Sequence, residues 1–169
     1  TSILPKKEIT FQELQGKKVA VDASNVIYQF LASIRQPDGT PLMDNNGNIT
    51  SHLVGLASRV SNLMEKNIKL AFVFDGKPPE LKFEESQRRR ELKEEEEEKY
   101  DEAKEEDNKE NMFKYSRQTI KLTKEIKEES KEFIKALGIP VIQAPSEAEA
   151  QASFMAEKGD VFAVVSQDI

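Results

Sequence analysis

The sequence predicts an α/β fold in which a parallel-rich central sheet carries helices on both faces, with a highly charged helical segment outside the core. Three observations support this prediction. Short apolar runs alternate with stretches of helical periodicity along the 169 residues. These apolar runs contain no alternating polar residues, which is typical of parallel strands covered on both faces. Between these elements, residues 82–111 are too highly charged to bury a face.

In the first half of the chain, two predicted strands each end at an aspartate. The predicted elements are a strand over 18–22, a helix with its apolar stripe over 27–34, a loop or small hairpin over 36–50, a helix over 53–64 and a strand over 69–74. The turn signals Asp38-Gly39 and Asn46-Gly47 indicate the loop. Asp22 is the last residue of the first strand, and Asp75 directly follows the second.

The segment over 82–111 is predicted to be a charged helix outside the core. Only two of the residues from 93 to 111 are apolar, and residues 88–110 hold seven basic and twelve acidic side chains. Because Glu and Lys favour helix, we expect a solvated, mobile helix here rather than part of the core. The flanks over 82–90 and 111–135 each carry more basic than acidic residues.

The second half of the chain predicts two helices and two strands. These elements are a helix with its apolar stripe over 122–137, a strand over 141–142, a helix over 146–158 and a strand over 161–166. Ser146 and Glu149 fit an S-x-x-E capping box, which sets the predicted start of the second helix. Asp168 follows the last strand, so a third strand end carries an acid.

The composition restricts the chemistry that the chain could perform. It has 25 Lys and Arg against 31 Asp and Glu, a net charge of −6, one His and no Cys. The lack of Cys excludes a disulfide framework, a Cys-ligated zinc site and a thiol nucleophile. The longest apolar runs are far shorter than the roughly 20 residues that span a bilayer, so we expect no association with a membrane. Any catalysis should therefore depend on carboxylates, Lys, Arg, Ser or Tyr.

Five acids are predicted to meet at one edge of the sheet. The carboxyl ends of parallel strands share an edge, and the first turn of the helix over 146–158 reaches the same place. The five acids are Asp22, Asp75, Glu147, Glu149 and Asp168. Like charges so close together need protons or cations between them, and oxygen donors without His or Cys suit Mg²⁺ or Mn²⁺. A pair of such ions roughly 3.5–4 Å apart promotes in-line displacement at phosphorus, which indicates phosphodiester hydrolysis.

Each of these acids also has a structural alternative. An aspartate after a strand is often a helix cap or a turn former, and Glu149 has a ready role in the capping box. A glutamate in a first helical turn is favoured by the helix dipole. His52 is expected to be structural, because no other residue is placed to use it.

Two other functions compete with the nuclease hypothesis. One is an aspartyl phosphatase with Asp22 as the nucleophile, which is disfavoured because Ser24 stands where a second acid is usual. The other is an inert α/β scaffold that carries the charged helical segment as an interaction module. A metal titration separates these alternatives, since an inert scaffold has no reason to hold five acids together.

Several motifs together resemble the N-terminal half of the flap endonucleases, a family of structure-specific 5′ nucleases. They are Val19–Ser24, Tyr28–Leu31, Thr50–Leu53, Val73–Pro79, Gly138–Pro140, Ala144–Ala150 and Ser166–Asp168. Two further segments, 35–43 and 158–160, are most similar to archaeal members. The resemblance implies that the five acids are ligands of two Mg²⁺ ions, with Mn²⁺ as a substitute.

The resemblance also implies that the charged segment over 82–130 forms a protruding helical arch, and it implies roles for four other residues. Lys82 and Arg89 match basic residues at the base of the arch that approach the scissile phosphate; the alternative is a pair of solvent-facing charges. Tyr28 matches a tyrosine that stacks on a base near the cleavage point, and its alternative is half-buried packing. Arg35 fits either a C-terminal dipole partner of its helix or a phosphate contact.

The implied substrate is branched DNA with a single-stranded 5′ flap, which passes beneath the arch during replication and repair. The family pattern continues beyond Ile169 with further acids, a motif that grips the downstream duplex and a tail that binds the sliding clamp. We therefore expect 1–169 to be the N-terminal part of the nuclease domain and to cleave weakly or not at all alone. The implied location is the cytoplasm for an archaeal-type protein, or the nucleus for a eukaryotic one.

Overall fold

The computed structural model describes residues 8–77 and 121–166. The elements in these ranges are β1 (Lys18–Asp22), α1 (Ala23–Ser33), α2 (Ser51–Glu65), β2 (Lys69–Phe74), α3 (Lys124–Ala136), β3 (Val141–Gln143), α4 (Ala148–Glu157) and β4 (Ala163–Val165). The strands lie in the order β3-β2-β1-β4, and each neighbouring pair is parallel. The predicted α/β fold with a parallel central sheet is confirmed.

Of the segment predicted as the arch, residues 82–120 lie outside the described residues, and residues 124–130 begin α3.

Side chains of the two central strands alternate between a larger and a smaller core. Val19, Val21, Phe72 and Phe74 pack in the larger core, which also receives apolar residues of α1, α2 and α3. Ala20 and Val73 point to the other face, where they pack with Ala148, Ala152 and Met155 of α4. The strands are thus buried on both faces, which is why their sequences are continuously apolar.

Helices α1 and α2 approach each other closely at a glycine. A Cβ atom built on Gly55 of α2 would lie 2.2 Å from Cγ of Phe30 on α1, far inside van der Waals contact. Phe30 itself is buried in the larger core. The ring therefore occupies the space that any side chain at Gly55 would need.

The segment between α1 and α2 forms the small hairpin that its turn signals predicted. Isolated antiparallel bridges join Arg35 to Pro41 and Met43 to Ile49. The fully buried Ser51 hydroxyl donates to the Ile34 carbonyl at 2.7 Å and accepts from the Leu42 N–H at 2.9 Å. A single hydroxyl thus links the end of α1, the hairpin and the start of α2.

His52 joins α2 to α3, in line with the structural role expected for it. Its side chain is fully buried, and Nε2 lies 2.9 Å from Oε2 of Glu129. Its other ring nitrogen, Nδ1, is buried without a hydrogen-bond partner among the described residues. Burial lowers the pKa of His52, and the hydrogen bond and charge of Glu129 act against that shift.

Two predicted element boundaries are wrong. Helix α4 starts at Ala148 with Glu147 as its N-cap, so the capping box of Ser146 and Glu149 does not form. Strand β4 is only three residues long, Ala163–Val165, because its ladder with β1 pairs only these residues with Val19–Val21. None of the helices in 8–77 and 121–166 combines the length and apolar character needed to cross a bilayer.

Candidate metal centre

The carboxyl ends of β1 and β2 bring two aspartates to the same edge of the sheet. Asp22 is the last residue of β1 and pairs with Val73 of β2. Asp75 follows two positions after Val73, directly beyond the end of β2. Because β1 and β2 are parallel neighbours, both acids occupy the edge where α/β proteins bind their ligands.

Asp22 is a half-buried carboxylate with two other acids near it. One carboxylate oxygen, Oδ1, accepts a 3.1 Å hydrogen bond from the Asn25 N–H, so Asp22 caps helix α1. Burial raises the pKa of Asp22, the bond from Asn25 opposes the shift, and the negative charges of Asp75 and Glu149 raise the pKa further. Three of the predicted metal-site acids therefore interact electrostatically.

Asp75 connects the end of β2 to helix α4. Its Oδ1 accepts a 2.9 Å hydrogen bond from the Ala148 N–H, the first residue of that helix. The next residue, Gly76, donates its N–H to the Ser146 carbonyl at 2.6 Å. A Cβ atom on Gly76 would lie 2.2 Å from the Ala144 carbonyl oxygen, so only glycine fits this crossing. The chain segments over 75–76 and 144–148 are thus held together at the same sheet edge.

The two predicted glutamates stand at the start of α4. Glu147 is the half-buried N-cap residue, although its side chain makes no capping hydrogen bond. Glu149 is exposed in the first turn, where the helix dipole favours a negative charge. We refer to Asp22, Asp75, Glu147 and Glu149 together as the acidic edge.

The donor chemistry of the acidic edge fits a hard divalent cation. All its side chains offer carboxylate oxygens, and the negative charges of Asp75 and Glu149 add to the effect of burial in raising the pKa of Asp22. Among the described residues, however, no three acidic or histidine side chains are close enough to hold one metal ion between them. The fifth predicted ligand, Asp168, lies outside the described residues. The structure thus brings Asp22, Asp75 and Glu149 within electrostatic reach without forming a closed cage.

The other predicted site residues have different environments. Lys82 and Arg89 lie outside the described residues. Tyr28 on α1 is 39% exposed, more than the half-buried packing alternative expects. Arg35 donates from Nε to the Leu31 carbonyl at 2.9 Å and from a terminal nitrogen to the Gly39 carbonyl at 2.6 Å. It therefore bonds to one carbonyl near the C-terminus of α1, that of Leu31, and to one carbonyl of the hairpin, that of Gly39.

Two residues near the acidic edge were not among the site residues predicted from the sequence. Ser24, in the first turn of α1, has a buried hydroxyl oxygen with no hydrogen-bond partner among the described residues. Gln143, the last residue of β3, donates its side-chain amide to the Asp75 carbonyl at 2.6 Å. Gln143 is a polar residue at the end of an apolar strand, and this position was the available sequence signal for it. The sequence does not indicate which residue its side chain would contact.

Comparison with known proteins agrees with this fold. The pattern of the XPG N-terminal domain matches residues 3–96, and that of the XPG I-region matches residues 138–169. Flap endonuclease 1 of Pyrococcus horikoshii is 55% identical over 166 residues, covering 98% of this chain and 48% of that protein. The chain thus spans about half the length of the curated relatives it matches.

Solved structures show the same likeness. Flap endonuclease-1 from Methanococcus jannaschii has a TM-score of 0.70 at 48% identity, covering 98% of this chain and 53% of that one. The catalytic core of Rad2, solved with a DNA substrate, has a TM-score of 0.63 at 30% identity, covering 94% and 42%. GEN1, a Holliday junction-resolving enzyme solved with product DNA, Mg²⁺ and Mn²⁺, shares the fold at 20% identity and a TM-score of 0.52, covering 94% and 26%.

The family assignment rests on the two matched family patterns and on the similarity to flap endonucleases. The first pattern alone matches more than half of the chain, and the second includes α4 and its two glutamates. The similarity to archaeal flap endonucleases extends over nearly all of its residues. The chain therefore belongs to the XPG N-terminal domain family, and within that family it is similar to the N-terminal part of the archaeal flap endonucleases.

Proposed function

We propose that this chain is the N-terminal catalytic part of a structure-specific nuclease that hydrolyses phosphodiesters of 5′-flap DNA in replication and repair. The observation that carries the proposal is the grouping of Asp22, Asp75 and Glu149, whose charges interact at the carboxyl edge of a parallel sheet. The similarity to archaeal flap endonucleases over 98% of the chain supports the substrate class. A phosphatase has no comparable support, because Ser24 supplies no second acid. An inert scaffold has none either, because it has no reason to hold the acids together.

The acidic edge, completed by Asp168, would hold two Mg²⁺ ions, for which Mn²⁺ would substitute. Carboxylates are the ligands that both cations prefer, and the cations would offset the repulsion between Asp22, Asp75 and Glu149, which adds to burial in raising the pKa of Asp22. Bound there, the ions would supply Lewis-acid stabilisation of the phosphate and a water of lowered pKa. Asp75 would take part through the oxygen that does not accept from Ala148, because that first bond fixes the orientation of its carboxylate.

Basic and aromatic residues of the chain would bind and orient the DNA. Lys82 and Arg89 would offset negative charge that develops on the scissile phosphate. Tyr28, exposed on α1, would stack on a base near the cleavage point. Arg35 would contact a phosphate and also hold the hairpin in place through its bonds to Leu31 and Gly39. The arch over 82–130 would admit the single-stranded 5′ end, and a sliding clamp would bind the full-length protein elsewhere.

The direct test is a gel assay on a labelled 5′-flap DNA, with and without Mg²⁺. It should compare this 169-residue chain with a protein extended to the full length of the relatives. We expect strict metal dependence and cleavage near the flap base by the longer protein, and little cleavage by the chain alone, since small misplacements of reacting groups cost about 100-fold in rate. No cleavage by the longer protein with metal present would remove the nuclease assignment.

A further inference from the structure

Gln143 sits where strand β3 ends beside the acidic edge, and its side chain contacts the segment that carries Asp75. The side-chain nitrogen, Nε2, donates to the Asp75 carbonyl at 2.6 Å and lies 3.3 Å from the Phe74 carbonyl. We propose that Gln143 is a positioning residue that fixes the main chain at Asp75 and thereby the place of its carboxylate in the metal centre. This inference rests on the proposed function of the acidic edge.

The bond from Gln143 to the Asp75 carbonyl lies just beyond the end of the β2–β3 ladder. The last ladder pair is Phe74 with Gln143, and the Ala144 N–H is already bonded to the Phe74 carbonyl at 2.8 Å. The Asp75 carbonyl, one residue beyond that last pair, accepts its bond from the Gln143 side chain.

Asp75 is then fixed by two contacts of its own and one contact of the following residue. Gln143 holds its carbonyl, the Ala148 N–H holds carboxylate oxygen Oδ1, and the Gly76 N–H that follows is bonded to Ser146. A shift of the main chain at 75 would move the carboxylate away from the start of α4 and from Asp22. Gln143 is itself exposed, and an exposed hydrogen bond adds little net stability, so folding alone explains this contact poorly.

The consequence is a specific effect on metal binding. Partners that orient metal ligands, without touching the metal, typically change metal affinity by about 10- to 100-fold when removed. Gln143 would act in this way through the main chain of Asp75. A residue that only stabilised the fold would leave the affinity of the folded protein for metal unchanged.

The test measures Mn²⁺ binding to the 169-residue chain, using the electron paramagnetic resonance signal of free Mn²⁺. Gln143→Met keeps the size of the side chain and removes the donor, and Gln143→Ala removes the same donor without adding an apolar group. The matched control is Gln36→Met, because Gln36 is also exposed and donates its amide to a carbonyl, that of Pro41 at 3.4 Å, in the hairpin. Urea unfolding without metal shows whether each variant is folded.

We expect both Gln143 variants to bind Mn²⁺ about 10-fold or more weakly than the unsubstituted chain, and Gln36→Met to bind it equally well. Unchanged affinity in a folded Gln143 variant would overturn the inference and leave the proposed function intact. Equal weakening by Gln36→Met would also overturn it, since the effect would then be a general loss of stability. If the unsubstituted chain binds no Mn²⁺, the metal centre fails, and the inference fails with it.

Discussion

The carboxylate of Asp75 accepts a hydrogen bond from the main-chain N–H of Ala148, 73 residues further along the chain. The acid that directly follows strand β2 therefore satisfies a free N–H at the start of helix α4, a task usually done by the helix's own N-cap side chain. Glu147, which occupies the N-cap position, makes no such bond. One carboxylate thus has both a structural partner and a place in the candidate metal centre.

This double role predicts different effects for two substitutions of Asp75. Asp75→Asn keeps an oxygen acceptor for Ala148 and removes a negative charge that acts on Asp22. Asp75→Ala removes both the acceptor and the charge. We expect Asp75→Ala to be about 1 kcal/mol less stable than Asp75→Asn in urea unfolding without metal, the usual effect of losing a helix cap. Equal stabilities would show that the bond to Ala148 contributes nothing.

Local sequence patterns predicted the strands and the acids at their ends. Contacts between residues far apart in the chain could not be predicted in this way. The strands β1 and β2 and the aspartates at their ends follow from apolar runs that stop at an acid, and both are where they were predicted. The start of α4 was misplaced because its capping partner, Asp75, comes from a distant strand. Gln143 went unnoticed for the same reason, since its partners lie 68 and 69 residues away. Pairings of this kind depend on the sheet being assembled, and no local periodicity encodes them.

A second prediction concerns the pH dependence that His52 gives to stability. Because its pKa is lower in the folded chain than the ordinary value, the unfolded chain binds more protons as the pH falls below about 6.5. His52 therefore destabilises the folded state progressively as the pH falls through that range, and has no such effect above it. His52 is the single histidine of the chain, so one imidazole signal in a proton NMR titration reports it directly. A midpoint at or above about 6.5 would contradict burial as the dominant influence on the pKa of His52.

Two variants separate the contributions to this pH dependence. His52→Gln keeps a donor for Glu129 and cannot titrate, so its stability should fall less between about pH 6.5 and 5 than that of the unsubstituted chain. Glu129→Gln removes the negative charge that favours protonation, so the His52 midpoint should move further down. An upward movement of the midpoint in Glu129→Gln would show that the interaction has the opposite sign.

A third prediction concerns the contact between α1 and α2. Alanine at an exposed helical position is favoured over glycine by about 1 kcal/mol, but at Gly55 the added Cβ would lie 2.2 Å from the Phe30 ring. We expect Gly55→Ala to destabilise the chain by about 1–3 kcal/mol in urea unfolding, as overpacking of a core usually does. The exposed Ser58→Ala on the same helix is the control and should be nearly neutral. Adding Phe30→Leu to Gly55→Ala should recover part of the loss, since it removes the clashing ring.

The last prediction separates the charge of Asp22 from its capping role. Asp22→Asn keeps an oxygen that accepts from Asn25, so helix α1 stays capped, while the half-buried charge near Asp75 and Glu149 disappears. Without metal this variant should be at least as stable as the unsubstituted chain. Asp160→Asn is the control, because Asp160 is exposed and lies near Lys18 and Lys69, where β1 and β2 begin.

Mn²⁺ should reverse this order of stability, so that the unsubstituted chain becomes more stable than Asp22→Asn. A ligand that binds only the folded state at 100 times its dissociation constant stabilises that state by about 2.7 kcal/mol, so Mn²⁺ should raise the melting temperature of the unsubstituted chain and of Asp160→Asn alike. Asp22→Asn should lose most of that increase, because it removes a charged ligand from the acidic edge. The measurement is thermal unfolding with and without Mn²⁺. An equal Mn²⁺ response in Asp22→Asn would mean that Asp22 caps α1 and does not bind the metal, and that the grouping of acids around it serves the fold rather than catalysis.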